Sequence, residues 1–249
     1  MYLPLHVGAE GKTAPDGGNL DLGYVKDNTG ENISELNPFF CELTGLYWAW
    51  KNIDSDYIGL AHYRRHFSVR GRRFEKESFD RIAAYPDIAP FLGEVKIFVP
   101  HKRRYYIETL YSHYAHTFSG EQLDITRRII SEKYPEYLNS YDKVLQQRHG
   151  YMFNMFIMEK TLLDRYCEWL FDILFELYEQ VDTMEMTDFQ SRFCGRVSEI
   201  IFNVWLEYQM RSGTLRREEI KELPYVHMET VDWVKKGGAF LKAKFMKVK

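Results

Sequence analysis

Tyr57-Ile58-Gly59-Leu60-Ala61-His62-Tyr63-Arg64-Arg65-His66-Phe67 is the stretch on which the reading of this chain turns. Residues 57–61 read as a short buried strand, bounded upstream by the turn-forming Asp54-Ser55-Asp56 and followed without a spacer by polar and charged side chains. Ligands of open α/β sheets bind at the carboxyl ends of strands. Two guanidiniums at such an end are suited to holding a diphosphate bidentately, so Arg64 and Arg65, with Tyr63 beside them, are candidate donor-binding residues. His62 is a candidate for proton transfer or for donation to a phosphate oxygen. Cationic side chains placed this way can neutralise the charge that develops on a leaving diphosphate without a metal. The competing reading is a basic surface turn.

Outward from that stretch, strand and helix signals alternate. A helix is expected from Asn37-Pro38, a cap followed by proline at the first helical position, through Phe39, Leu43, Leu46, Tyr47 and Trp50. Residues 95–99 read as a second strand ended by Pro100, and 105–118 as a helix carrying His113 and His116. Further helices are expected over 122–133 and 136–147, a core strand over 151–158, helices over 162–178 and 189–211, and a last strand over 223–228. This alternation predicts one α/β domain over residues 1–230, with a mixed central sheet, flanking helices and a helix-rich C-terminal half. No internal repeat or low-complexity linker interrupts it.

Composition narrows the class. In 249 residues, 45% are apolar and 28% charged, which argues against a disordered or membrane-embedded chain, and a formal charge of -3 removes any global case for nucleic acid. Cys41, Cys167 and Cys194 stand far apart in helical, apolar surroundings, as free thiols of a reducing compartment do. The N-terminus has no basic start followed by a long apolar run, so the expected location is the cytoplasm, with the inner face of the plasma membrane as an extension of it. That extension rests on residues 231–249, where Lys235, Lys236, Lys242, Lys244, Lys247 and Lys249 are interleaved with Trp233, Phe240, Leu241, Phe245 and Met246. Such a tail suits peripheral contact with an anionic leaflet, and equally a solvated tail packed along one apolar edge.

Other residues with chemical potential are scattered along the chain. Asp27-Asn28-Thr29-Gly30-Glu31-Asn32-Ile33-Ser34 carries polar groups suited to sugar hydroxyls or a ribose, with Asp27, Asn28 and Asn32 as donor-site candidates and Gly30 admitting a close backbone approach. The alternative is a capped loop. Asp54-Ser55-Asp56 is a literal Asp-x-Asp, but it precedes its strand and reads as a helix-to-strand turn rather than a metal site. His113 and His116 share a helical face, and without a third ligand they suit acceptor contact better than metal binding. Asn154 lies within the apolar run Met152–Met158, where a buried amide must find partners, and with His113 and His116 it is an acceptor-site candidate. Asp188, Gln190, Arg192 and Glu199 gather around the start of a late helix: Glu199 or Asp188 is the candidate general base, and Gln190 and Arg192 are acceptor candidates. For Glu199 an ion pair with Arg196 or Arg192 is an equal alternative.

Taken together, Leu22-Gly23-Tyr24, Asp27 to Ser34, Asn37-Pro38, Cys41 to Thr44, Tyr57 to Phe67, Tyr106 to His116, Leu123 to Thr126, Tyr134 to Tyr137, Met152 to Met158 and Ser198-Glu199 resemble a bacterial family. It comprises capsule and exopolysaccharide biosynthesis proteins grouped as a domain of unknown function, many of them regarded as glycosyltransferases. The resemblance implies a nucleotide-sugar-transferase-like (GT-A-like) fold in which His62-Tyr63-Arg64-Arg65 replaces the metal-binding Asp-x-Asp. It implies a nucleotide-sugar donor, with a UDP-hexose expected, and a glycan or lipid-linked glycan acceptor. No metal ligands and no resident cofactor are expected, and a divalent cation is kept as the alternative. Family members usually open with an extra strand ending in Thr-His-Lys, and this sequence begins after it, which is expected to weaken the seat of the donor base. A non-catalytic scaffold of a polysaccharide assembly complex and a nucleotide-sugar hydrolase are the competing functions.

Overall fold

The computed structural model describes residues 1–69 and 79–228, so the basic C-terminal tail lies outside the described residues. The first ordered pieces are β1 (Leu5–His6) and β2 (Val25–Lys26), which pair in parallel, then the short helix α1 (Asn37–Phe40), α2 (Leu43–Asn52), β3 (Tyr57–Leu60) and β4 (Arg65–Phe67). There follow α3 (Tyr85–Ile88), β5 (Ile97–Pro100), β6 (Arg103–Arg104), α4 (Leu110–Thr117), α5 (Gly120–Lys133) and α6 (Leu138–Leu145). The chain continues through β7 (His149–Gly150), β8 (Phe156–Glu159), α7 (Lys160–Gln180), α8 (Phe193–Arg211), β9 (Ile220–Leu223) and β10 (Tyr225–His227).

The central sheet is mixed, as expected, with order β3-β8-β5-β9; β8 runs antiparallel to both β3 and β5, and β9 is parallel to β5. Both faces of β5 are covered, because its alternating side chains serve two cores. Ile97 and Val99 enter the large cluster built mainly from α5 to α8, whereas Phe98 enters a smaller one with Phe67, Ala83, Ile88, Val95, Met155 and Leu223. Helix α7 buries Leu163, Tyr166, Cys167, Leu170, Ile173, Leu174 and Leu177, a stripe at three- and four-residue steps. Helix α8 is buried on more than one side, and a Cβ at Gly195 would sit 3.2 Å from Cys41 Cβ, so this glycine lets α8 approach α1 closely.

The last expected strand, 223–228, is divided into β9 and β10, and three further elements differ from the sequence expectation. The helix expected from 37 to 50 is split at Cys41, whose φ of 54° takes it out of the helical region; the Asn37 side-chain amide donates to Cys41 O at 2.8 Å and holds the bend. The strand expected over 151–158 begins its pairing only at Phe156, because Phe153 and Asn154 have φ of 79° and 51°. The helix expected from 105 starts at Leu110, capped by Thr109, since Tyr106 has φ of 57° and residues 103–104 pair with 149–150.

The strand β9 is stapled to the sheet by Glu219. Its carboxylate accepts from Arg216 N at 2.8 Å and Arg216 Nη2 at 3.1 Å, and Lys96 Nζ lies 3.0 Å away. The backbone hydrogen bond from Arg216, followed by its guanidinium and then Lys96, lowers the Glu219 carboxyl from 4.5 to about 2. A carboxyl depressed in the folded state stabilises fully above its unfolded pKa, and that stability is lost as pH falls toward the folded value. Glu219→Gln is therefore expected to lower the melting temperature at pH 6, with the gap from wild type closing between pH 4.5 and 2. A gap that stays constant down to pH 2 would remove the carboxylate as its cause.

Candidate functional site

Strands β3, β5 and β9 end at one edge of the sheet, and β8 begins there. The topology thus gathers four segments that are remote in sequence: 61–65 after β3, 101–104 after β5, 151–155 before β8 and 224–227 after β9. Asp54-Ser55-Asp56 precedes β3 and so lies at the opposite edge, where Ser55 Oγ donates to Tyr57 O and Asp56 O accepts from Lys160 N.

The turn after β3 closes through mutual backbone hydrogen bonds between His62 and Arg65, and β4 then pairs antiparallel with β10. Tyr63 and Arg64 are exposed at its tip, with Arg64 Cζ 4.8 Å from the Tyr63 ring centroid. Arg65 points inward: its Cζ stands 4.4 Å over the Phe153 ring, and its buried Nε has no hydrogen-bond partner. Burial lowers its pKa from the ordinary arginine value, and the Glu199 charge opposes the shift. A buried donor left without an acceptor is costly, which makes Arg65 Nε a feature that calls for a ligand or a water.

His62 Nε2 lies 2.6 Å from Phe153 O and 3.5 Å from Glu42 Oε1, so the imidazole donates to the carbonyl with the carboxylate alongside. Asn154 finds the partners its burial requires: Nδ2 donates to Glu42 Oε1 at 2.9 Å and to Gly195 O at 3.0 Å, and Oδ1 accepts from Ser198 Oγ at 2.9 Å. Glu199 Oε2 accepts Phe153 N–H at 3.1 Å, and Arg196 Nη1 donates to Glu199 Oε1 at 2.9 Å. The ion pair weighed for Glu199 is thus formed with Arg196. Three of the chain's four non-glycine residues with positive φ among the described residues, Cys41, Phe153 and Asn154, are held in this cluster. Left-handed conformations of bulky residues cost of order 1–3 kcal/mol each and persist only where surrounding contacts over-determine them.

Glu42 is the member of the cluster that the sequence did not single out. Its side chain is 18% exposed against 8% for Glu199, and no hydrogen bond to Oε2 is formed among the described residues. No short-range signal marked it, because the break at Cys41 that sets it in the cluster lies within a run that reads as one continuous helix.

The remaining candidates separate. Asp27 is fully buried and saturated: Gly8 N at 2.8 Å, Ala9 N at 3.0 Å, Ser34 Oγ at 2.5 Å and Thr44 Oγ1 at 2.7 Å all donate to its two oxygens. It organises the loop and has no oxygen left for a donor sugar. Asn32 caps its own turn, accepting from Ser34 N and donating to Gly30 O, and Gly30 approaches Asn52 rather than an open space. Asn28 donates to Glu10 beside a small 120 Å³ cavity lined by Glu10, Lys12, Asn19 and Lys26. His113 and His116 are joined by Glu108, whose two oxygens take the two Nδ1 atoms at 2.9 Å each. Asp188 and Gln190 lie exposed on the turn before α8, with Gln190 Oε1 accepting from Thr187; Arg192 Nε donates to Cys41 Sγ at 3.3 Å and so reaches the edge of the cluster. The expected grouping of Asp188, Gln190, Arg192 and Glu199 is therefore divided, because the chain passes from an exposed turn into a buried helix between them. Among the described residues no group of three or more His, Cys, Asp or Glu side chains converges as metal ligands would, and no helix is long and apolar enough to cross a membrane.

The comparisons with known proteins agree with this architecture. No curated protein matches the chain. A solved structure described as the WbbM bifunctional glycosyltransferase, in its apo form, superposes with a TM-score of 0.79 at 29% identity over 90% of this chain, which spans 42% of that larger protein. The GT-A-like α/β architecture expected from the sequence is thereby shared with a glycosyltransferase. Residues 1–210, which hold the whole cluster around His62, Glu42 and Asn154, match a single family throughout, and the chain belongs to that family, Domain of unknown function (DUF4422).

Proposed function

We propose that this protein transfers a hexose from a nucleotide-sugar donor to a glycan or lipid-linked glycan acceptor in the synthesis of a bacterial surface polysaccharide. The observation that carries the reading is the turn after β3, at the edge of the sheet where strands β3, β5 and β9 end: it turns Arg65 inward with an unsatisfied Nε, exposes Arg64 at its tip, and sets His62 3.5 Å from the carboxylate of Glu42. The likeness to a glycosyltransferase supports it.

In a direct displacement the acceptor hydroxyl attacks the anomeric carbon and its proton passes to a carboxylate. The bond from that carbon to the diphosphate oxygen breaks, and its electron pair stays on the leaving group. Arg64 and Arg65 stabilise that charge where it develops. Glu42, with one oxygen open, is the base, and His62 and Asn154 orient it. Glu199, with both oxygens engaged, is a positioning residue that holds Phe153 and faces Arg65. A UDP-hexose is the expected donor, and the arginines are assigned the role that a divalent cation has in Asp-x-Asp enzymes.

A thermal-shift series against nucleoside diphosphates and nucleotide sugars, with and without manganese, tests the donor site. A ligand at about 100 times its dissociation constant adds ~2.7 kcal/mol of stability. One nucleotide family is expected to raise the melting temperature without metal, and Arg64→Ala is expected to weaken it more than tenfold, since a charge-assisted hydrogen bond contributes ~1.5–3 kcal/mol. Unchanged affinity in Arg64→Ala, or stabilisation only with manganese, would overturn the arginine-based assignment.

A further inference from the structure

A second cationic site sits at the same sheet edge, beyond the β3–β8 half. His101, Lys102, Arg104, His149 and Glu222 line a cleft of 480 Å³. Its walls are fixed by backbone pairing: Arg103 and Arg104 pair with Gly150 and His149, His101 N donates to Leu223 O, and β9 lies parallel to β5. Lys102 Nζ stands 4.8 Å over the Tyr151 ring, which fixes the position of this ammonium in the lining. The one carboxylate, Glu222, is already engaged, accepting from Tyr151 OH at 2.6 Å and from Arg217 Nη2 at 3.3 Å. The lining therefore keeps an excess of positive charge.

The lining points to an anionic ligand. His149 Nδ1 is buried without a hydrogen-bond partner. Burial, then the charges of Lys102 and Arg104, lower the His149 imidazole below its ordinary value. Like charges gathered in a cleft are repelled until an anion joins them, and fixed guanidinium and ammonium groups with a nearby imidazole suit phosphate oxygens. The cleft lies at the β5–β9 end of the sheet and the Arg65 cluster at the β3–β8 end. With strands ~4.8 Å apart, two strand spacings put the two sites about 10 Å apart.

We propose that the His101–Lys102–Arg104–His149 cleft is a second phosphate site, which holds the diphosphate of the acceptor while the arginines after β3 hold that of the donor. This rests on the transferase reading for the acceptor's identity, though not for the cleft's affinity for phosphate. A donor and an acceptor both carrying diphosphates need two cationic sites on one edge, separated by the sugar being transferred. The neighbouring turn of β6 and the Tyr151 ring then set how the acceptor enters.

Calorimetric titration of the full chain with inorganic pyrophosphate, UDP and farnesyl diphosphate tests this. With UDP saturating, pyrophosphate and farnesyl diphosphate are expected still to bind, and the Lys102→Ala/Arg104→Ala variant is expected to weaken both at least tenfold while leaving UDP affinity unchanged. Both side chains are solvent-exposed, so the melting temperature should stay within a degree or two of wild type and report an intact fold. Failure of pyrophosphate to bind beside UDP, or binding unaffected by the double substitution, overturns the cleft as a phosphate site. A tenfold loss of UDP affinity in the same variant assigns the cleft to the donor and overturns the acceptor role. If UDP binds nowhere, the donor reading fails by itself, and loss of pyrophosphate binding in the double variant still decides the cleft.

Discussion

Glu42→Gln is expected to lower kcat for glycosyl transfer by about 10²- to 10⁴-fold, the usual loss when a positioned general base is removed. The substitution is close to isosteric, and the glutamine Oε1 can still accept from Asn154 Nδ2, so the contact that anchors the strained Phe153-Asn154 turn survives. What disappears is the charge beside His62 Nε2 and the ability to take a proton. The donor's KM should therefore change little while kcat falls, because Arg64 and Arg65 are untouched. Glu199→Gln makes the informative comparison. Its amide would turn an N–H toward either Phe153 N or Arg196, so it should loosen the turn and weaken donor binding through Arg65, raising KM more than it lowers kcat. Steady-state kinetics on both variants, with the pH dependence of kcat, separate the roles. Glu42→Gln retaining more than about a tenth of wild-type kcat would be too small a loss for a general base.

The largest effect on stability is expected at Asp27. Asp27→Asn keeps the volume but replaces one acceptor oxygen by an NH₂ group, in a fully buried pocket where four donors converge. The hydroxyls of Ser34 and Thr44 can rotate to accept; the amides of Gly8 and Ala9 cannot. One backbone N–H must then face another donor, and the remaining bonds lose their charge assistance, at a combined cost of roughly 3 kcal/mol. For a chain of this length that corresponds to a fall in melting temperature of roughly 6–12 °C. The same substitution should leave donor affinity unchanged at temperatures where the protein is folded, which distinguishes an organising carboxylate from a ligand-binding one. Isothermal titration below the transition supplies that second readout.

Much of the fold was legible because its causes are local. Ile97-Phe98-Val99 alternates, and the structure places Ile97 and Val99 in one core and Phe98 in the other. The apolar stripe of residues 162–178 predicts a helix, and α7 spans Lys160–Gln180. Errors clustered where side chains distant in sequence overrode local preference. Residues 151–155 are apolar enough for a strand, yet Glu199, His62, Glu42 and Gly195 O hold Phe153 and Asn154 in a turn. The same contacts make that turn part of the candidate site, so the local misreading and the site's geometry share one cause.

By itself the sequence determined the alternation of strands and helices, the family, and the delivery of His62, Arg64 and Arg65 to the end of a strand, since hydrophobic period and turn residues are short-range patterns. Only the tertiary structure decided which polar groups are occupied and which are open. Asp27 and Glu42 are both acidic residues, but the first is closed by four donors and the second keeps an oxygen without a hydrogen bond among the described residues. Glu42 and Asn154 meet across 112 residues, as do Phe153 and Glu199 across 46. A side chain's chemistry follows from the partners that saturate it, and those partners are brought together by packing rather than by spacing along the chain.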